Sequence, residues 1–270
     1  MSTAEKKIVS IRLLEAIEKA EHCFLCQLET KLEQRYINTY LSELVMDPKS
    51  RDKIVKSRGF CNHHFYKMFV SASNPANEDG LGMALILRSV MEQLLEDVKS
   101  QQKSAKVATS KSWSSRLKSS VDSSLAAKLF VSVSNEVKCP ACDHISGMMR
   151  IYIEEFLHEI VRNDEILQLY HKSVGMCVPH YIMVMCVAAG KPCKELTLVI
   201  ERLIEKQTDT LEKLKNDLSE YVEKQDYRFS SEERAATERY IGESLLKVVG
   251  RRGIERILMK ILKTKEGCSS

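Results

Sequence analysis

Two copies of one cysteine and histidine pattern constrain this chain more than any other feature. Each copy is a CxxC pair followed 35 residues further on by CxxH, and every member of the second copy lies 116 residues after its counterpart. This spacing is typical of a four-ligand metal site, so the sequence predicts two of them, although no feature specifies a reaction. The predicted ligands are Cys23, Cys26, Cys61 and His64 in the first copy and Cys139, Cys142, Cys177 and His180 in the second.

The ligand types favour zinc. Three thiolates and one imidazole suit a tetrahedral Zn²⁺ ion, so we expect two zinc ions, with an iron–sulfur cluster as the less favoured cofactor. We pair the motifs within each copy, so that each ion joins two segments 35 residues apart. Both motifs are expected at helix starts, where the positive end of the helix dipole favours thiolates. Four protein ligands leave no position for a catalytic water, so we assign no catalytic residue and do not favour an enzyme.

The repeat also indicates which histidines are ligands. His64 and His180 occupy equivalent positions, whereas His63 aligns with a proline. His63 and His144 stay open as additional ligands, because each lies beside a predicted site. Cys186 lies outside the pattern in an apolar stretch, and we expect it to be a small buried residue.

Apolar residues at three-to-four spacing run through both copies and predict helices, whereas strand-like alternation is scarce. The sequence therefore predicts an all-α fold of two tandem helical repeats, each braced by a Cys3His site, with a C-terminal helical extension. Its predicted parts are 1–105 for the first repeat, 106–123 for a Ser- and Lys-rich linker, 124–225 for the second repeat and 226–270 for the tail. A long amphipathic helix is predicted at the end of each repeat. The apolar face of the first consists of Met83, Ile86, Val90, Leu94 and Val98, and that of the second consists of Leu196, Val199, Leu203, Leu211, Leu214 and Leu218.

Several residues predict where helices begin and end. Asp47 followed by a proline is typical of a helix start, and Asn163 occupies the corresponding cap position in the second copy. Gly59 and Gly175 stand where a helix needs a left-handed residue to end. In the tail, a capping box at residues 230–233 predicts a helix to about Val249, and residues 251–265 have the pattern of an amphipathic helix that packs on the protein, a partner or a membrane surface.

Composition narrows the class of protein. The net charge of +4 and the pI of about 8.5 are not those of a dedicated nucleic-acid binder, although the basic linker with Trp113 and the basic tail leave that partner open. The first residues carry charges throughout and lack the apolar core of a signal peptide, and no apolar stretch has the length of a transmembrane segment. We therefore expect a cytoplasmic protein.

The segments HCFLC, SRGFCNHH, CPAC and SVGMCVPH, with a later DYRF, resemble an uncharacterised family of prokaryotic proteins that carries duplicated CxxC and CxxH motifs, a domain of unknown function. The resemblance covers about residues 15–250. It implies an all-helical protein with two Cys3His sites and implies no activity.

Three hypotheses for function follow. The leading one is a metal-binding scaffold, adaptor or regulator that acts through an unknown protein partner. The first alternative is a redox protein that uses iron–sulfur clusters or reactive CxxC thiols. The second alternative is nucleic-acid binding through the basic linker and tail.

Overall fold

The computed structural model describes residues 3–73, 80–110, 139–190 and 194–250, and every regular element within those ranges is helical. The prediction of an all-α fold is therefore confirmed. No helix in these ranges is long and apolar enough to cross a membrane. The helices are α1 Thr3–Lys19, α2 Phe24–Ser42, a 3₁₀ turn Leu44–Met46, α3 Pro48–Ser57, α4 Asn62–Ala72, α5 Gly80–Ser110, α6 Pro140–Arg162, α7 Asp164–Lys172, α8 Val178–Ala189, α9 Lys194–Glu223, α10 Ser231–Thr237 and α11 Arg239–Val249.

The predicted helix caps are present. The Asp47 carboxylate accepts a hydrogen bond from the Ser50 amide at 2.8 Å at the start of α3, and Asn163 accepts one from the Glu165 amide at 3.0 Å at the start of α7. The capping box of α10 is formed. The predicted tail helix is divided, however, because α10 ends before α11 begins at Arg239.

The helix starts follow the sequence repeat. The starts of α6, α7 and α8 each lie 116 residues after those of α2, α3 and α4. These matched starts are consistent with an internal repeat, which stays a prediction.

The described residues form two compact units that do not follow the two halves of the repeat. Unit 1 comprises the described parts of Met1–Leu32 and Ser146–Ser270, and unit 2 comprises those of Glu33–Ile145. The boundaries fall inside α2 and α6, so each unit combines segments from both halves. The bounds predicted from the repeat therefore differ from those of the compact units.

Each unit has its own core. In unit 2, Ile37, Phe60 and Met68 are almost completely buried. In unit 1, the ring of Phe24 lies 5.1 Å from Phe156 and 6.2 Å from Tyr170, centroid to centroid. The long helices bury only the first turns of their predicted stripes. Thus Met83, Ile86, Val90, Leu196, Val199 and Leu203 are buried, whereas Val98 and Leu211 are exposed.

Two other predictions fall partly or wholly outside the described ranges. Helix α5 continues to Ser110, into the segment 106–123 that we predicted as a linker. The rest of that linker, including Trp113, lies outside the described residues, as does the predicted amphipathic segment 251–265.

Candidate metal centres

The motifs come together across the two copies, not within them. In unit 1, the CxxC of the first copy meets the CxxH of the second, and in unit 2 the CxxC of the second copy meets the CxxH of the first. Our prediction that each site uses one copy is therefore wrong. The same eight side chains form two buried Cys3His groups, each of which can hold a metal ion. The unit 1 group is Cys23, Cys26, Cys177 and His180, and the unit 2 group is Cys61, His64, Cys139 and Cys142.

The ligand atoms have the spacing of a single tetrahedral ion. Around Zn²⁺, two sulfurs would lie about 3.8 Å apart, and a sulfur about 3.5 Å from a nitrogen. In unit 2, the Nδ1 atom of His64 lies 3.2, 3.3 and 3.4 Å from the three sulfurs, and the Cys61 and Cys142 sulfurs are 3.8 Å apart. In unit 1, the Nδ1 atom of His180 lies 3.2, 3.4 and 3.5 Å from its three sulfurs. Each group thus surrounds a space that fits one ion.

All four motifs lie at helix starts, as the sequence predicts. Cys61 and Cys177 are the N-cap residues of α4 and α8, and Cys23 and Cys139 directly precede α2 and α6. The carbonyl of each of these cysteines accepts a hydrogen bond from the amide four residues later, at 2.9–3.2 Å. The last member of each motif therefore lies in the first helical turn. Four helix N-termini point positive partial charge at the two groups, which favours thiolates.

The protonation of the cysteines favours a cation. Hydrogen bonds with Cys139 and Cys142 lower the pKa of Cys61, whereas those with Cys139 and Cys61 raise the pKa of Cys142. In unit 1, the hydrogen bonds of Cys177 with Cys23 and Cys26 raise the pKa of Cys177 in the same way. Three adjacent thiols cannot all ionise unless a positive charge lies between them. A divalent cation would supply it.

The two ligand histidines carry a second contact that favours metal binding. Burial lowers the pKa of His64, but the Cys139 and Cys61 thiols and the Glu33 carboxylate outweigh it and raise that pKa to about 10. The far nitrogen of His64 lies 3.2 Å from Glu33, and that of His180 lies 3.8 Å from Glu29. Both glutamates are only 2% exposed. At 3.2 Å the Glu33 carboxylate fixes the orientation of the His64 ring and makes it a better ligand, whereas the longer Glu29 contact acts on His180 by charge alone.

Our sequence analysis missed Glu29 and Glu33. They lie one helical turn apart on α2, and the sequence signal is their position three and seven residues after Cys26, on the same helix face as that ligand. Two carboxylates on the otherwise apolar ligand face of this helix could have identified them.

In unit 2, a histidine and a lysine contact the Glu33 carboxylate. The Nε2 atom of His63 lies 2.8 Å from Glu33, and Lys67 also forms an ion pair with it. The side chain of His63 is 41% exposed, so this contact extends from the buried group to the surface. His63 thus lies beside the ligand set and contacts its glutamate. His144 packs its ring 5.0 Å from Tyr36 and is not part of either group.

Unit 1 places a lysine and a glycine beside its sulfurs. Lys247 of α11 is 8% exposed, and burial lowers its pKa to about 8 although Cys23 and Cys177 act to raise it. Gly250 ends α11 with φ of 71°, and a Cβ atom at this position would lie 3.1 Å from the Cys177 sulfur. The end of α11 therefore packs directly on the ligand group. Cys186 is half-buried, so the prediction that it is buried is wrong.

Comparison with known proteins gives one match. The model of a family of unknown function (DUF6062) matches residues 4–253 of the chain. No curated protein and no solved structure matches it.

Proposed function

Because this chain belongs to that family of unknown function, we propose its role from its own side chains: each compact unit is held together by one Zn²⁺ ion, and the protein serves as a scaffold, adaptor or regulator. The observation that carries the proposal is the tetrahedral spacing of three sulfurs and one ring nitrogen in both units. Zinc is the ion whose preferred ligands and geometry match this set. The buried Glu33 behind His64 supports it further, because metal-bound histidines commonly have such a hydrogen-bonded partner.

The closed ligand sets support a structural role for the ions. Each group supplies four protein ligands, which leaves a tetrahedral ion without an open position for water or substrate. The ions would link α2 to α8 in unit 1 and α4 to α6 in unit 2. Structural zinc contributes to the free energy of folding directly, so each unit would depend on its ion. The cysteine ligands form no disulfides and must stay reduced to bind zinc, so we propose that the protein is located in the cytoplasm.

Metal analysis of protein purified without oxygen tests the ion. We expect a colourless protein with about two zinc ions per chain. A brown protein that contains iron would instead support the iron–sulfur alternative, and metal-free protein with undiminished helix content and melting temperature would contradict both the sites and their structural role.

Paired substitutions test the crossed arrangement. Cys26→Ala with Cys177→Ala removes two ligands of one group, so one zinc ion should remain. Cys26→Ala with Cys61→Ala removes one ligand from each group, so both ions should be lost. Pairing within each copy predicts the reverse result for the two variants, so zinc content alone decides between the arrangements.

The scaffold role is tested with partners from the host cell. A partner should bind the zinc-loaded protein and should be lost from the variant with Cys26→Ala and Cys61→Ala. A partner that binds both proteins equally would contradict a role that depends on the ions. Nucleic-acid binding through the basic linker and tail stays a hypothesis, since residues 111–123 of the linker and residues 251–270 of the tail lie outside the described residues.

A further inference from the structure

Two glycines at equivalent positions of the repeat have different surroundings in the two units. Gly59 in unit 2 and Gly175 in unit 1 lie 116 residues apart and both have positive φ, 93° and 74°. Beside Gly59, the ring of Phe65 fills the space that a side chain would occupy, and Val90 Cγ2 lies 3.2 Å from the Cβ position. This position in unit 2 is closed by apolar packing.

The equivalent position in unit 1 is bordered by polar side chains and is not filled by them. A Cβ atom on Gly175 would lie 3.5 Å from Lys247 Nζ, 3.7 Å from Lys206 Cε and 3.9 Å from the Tyr170 hydroxyl. These are ordinary contact distances, so the three side chains leave a niche that a methyl group would just fill. Lys206 stands where unit 2 has Val90, and Tyr170 stands where unit 2 has Ile54, 116 residues earlier.

The polar groups of this niche have donors to spare. The Tyr170 hydroxyl is fully buried and has no hydrogen-bond partner among the described residues. Lys206 donates to the His171 carbonyl at 2.8 Å, and Lys247 donates to the Val174 carbonyl at 3.4 Å. An ammonium group has three donors, so each lysine retains two. Within the ranges that the structure describes, neither lysine is within 4.0 Å of a carboxylate oxygen. A buried hydroxyl without a partner is costly, and a ligand with several acceptor oxygens would satisfy it together with the remaining lysine donors.

The niche adjoins a cleft of about 510 Å³, since Lys206 and Lys247 line both. This volume is that of a small-molecule site. Three acidic side chains also line the cleft, but Glu21, Asp209 and Glu243 are all exposed at its rim. Lys172 and Lys213 also line the cleft and are exposed, so Lys206 and Lys247 are the least exposed charged groups of its lining. This distribution suits a molecule whose anionic group binds at Lys206 and Lys247 and whose other groups are polar.

We propose that unit 1 binds a phosphate group where this niche meets the cleft, with Lys206, Lys247 and Tyr170 as its donors. Two ammonium groups and a hydroxyl approach the niche from different elements, α9, α11 and α7. That arrangement matches a tetrahedral oxyanion with several acceptor oxygens better than a planar carboxylate. The ligand is either free inorganic phosphate or a small phosphorylated molecule whose hydroxyl groups reach the acceptors at the rim of the cleft.

Thermal denaturation and ³¹P NMR of the zinc-loaded protein test this proposal. Inorganic phosphate should raise the melting temperature above that in sodium chloride of equal ionic strength, because a ligand of the folded state stabilises it. Glycerol 3-phosphate in a parallel titration distinguishes the two sources: tighter binding than that of inorganic phosphate identifies a phosphorylated molecule, and weaker binding identifies the free ion. An identical response in phosphate and chloride would overturn the proposal.

Substitutions locate the site. Tyr170→Phe removes only a hydroxyl without a partner, so the variant should fold as well as the native protein and keep two zinc ions. Its affinity for phosphate should fall about fivefold, and that of Lys247→Met about tenfold or more. Lys56→Met, which removes an equal charge from an exposed side chain of unit 2, should bind phosphate normally. Tyr170→Phe and Lys247→Met variants that both bind phosphate like the native protein would refute the site, whatever the zinc content.

Discussion

The two candidate metal centres have the same types of ligand, three cysteines and one histidine, but differ in the position of the nearby positive charge. Zinc with three thiolates carries a net charge of −1, and a nearby carboxylate adds another negative charge. Unit 2 places His63 and Lys67 on its carboxylate, Glu33, whereas unit 1 places Lys247 near the sulfurs of Cys23 and Cys177. The negative charge of such a centre can therefore be offset by a cation on its histidine side, as in unit 2, or on its sulfur side, as in unit 1. The comparison predicts that substitutions around the two centres act locally and by different routes.

The largest expected effect comes from the ligand histidines. His64→Ala should remove the ion of unit 2, and His180→Ala that of unit 1. A structural zinc ion is worth about 10 kcal/mol or more, which is comparable to the whole stability of a domain, so the affected unit should unfold. Hydrogen exchange should rise in α4 for His64→Ala and in α8 for His180→Ala. His158→Ala, at an exposed histidine, is the matched control. If both units lose protection in either variant, the centres are not independent.

A smaller effect is expected at the buried carboxylates. Glu33→Gln should weaken zinc binding in unit 2 by about 10- to 100-fold, because the His64 ring loses its charged partner. Glu29→Gln should have less effect on unit 1, since its carboxylate lies 3.8 Å from His180 against 3.2 Å for the pair in unit 2. Competition with a zinc chelator measures both affinities. An equal loss in the two variants would show that these distances do not set the affinity.

The sequence predicted the helices and their starts, because capping residues, glycines and apolar spacing act locally. Asp47, Asn163 and the first cysteine of each motif all begin helices as expected. The same local signals brought the eight cysteine and histidine residues to helix N-termini. Which CxxC meets which CxxH is not a local property, and this pairing was predicted wrongly.

Loop length could not decide the pairing. Cys26 and Cys61 are 35 residues apart, whereas Cys26 and its observed neighbour Cys177 are 151 residues apart. A fourfold longer loop costs only about 1.2 kcal/mol of closure entropy, since each doubling costs about 0.6 kcal/mol. Packing of the long helices easily outweighs this difference. The identical motifs of the two copies left two pairings with the same ligand chemistry, and only the tertiary structure distinguishes them.

The end of α11 offers a test that is specific to unit 1. Gly250→Ala should lower the stability of unit 1 by about 1–2 kcal/mol, because φ of 71° with ψ of −171° is a conformation that only glycine readily adopts. The added methyl group would also press on the Cys177 sulfur and weaken zinc binding there. Gly242→Ala in the same helix meets no atom within 4 Å and should be neutral or slightly stabilising. Chemical denaturation with zinc analysis measures both effects. Loss of the unit 2 ion would contradict the local packing argument.

The smallest expected effect is an ion pair of unit 2 that is remote from its sulfurs. The Arg58 guanidinium lies 2.7 Å from Asp97 and lowers the pKa of that carboxyl group below its usual value. The pair therefore stabilises unit 2 above about pH 4 and is lost as the pH falls below that value. A double-mutant cycle of Arg58→Met and Asp97→Asn at pH 7 should give a coupling of about 0.5 kcal/mol, because the pair is partly exposed. Thiolate ligands take up protons at higher pH than Asp97 does, so zinc release on acidification should precede the loss of this pair. If the Asp97→Asn variant unfolds in acid at the same pH as the native protein, the metal centres control acid unfolding. If the substitution changes the pH of unfolding, the ion pair controls it.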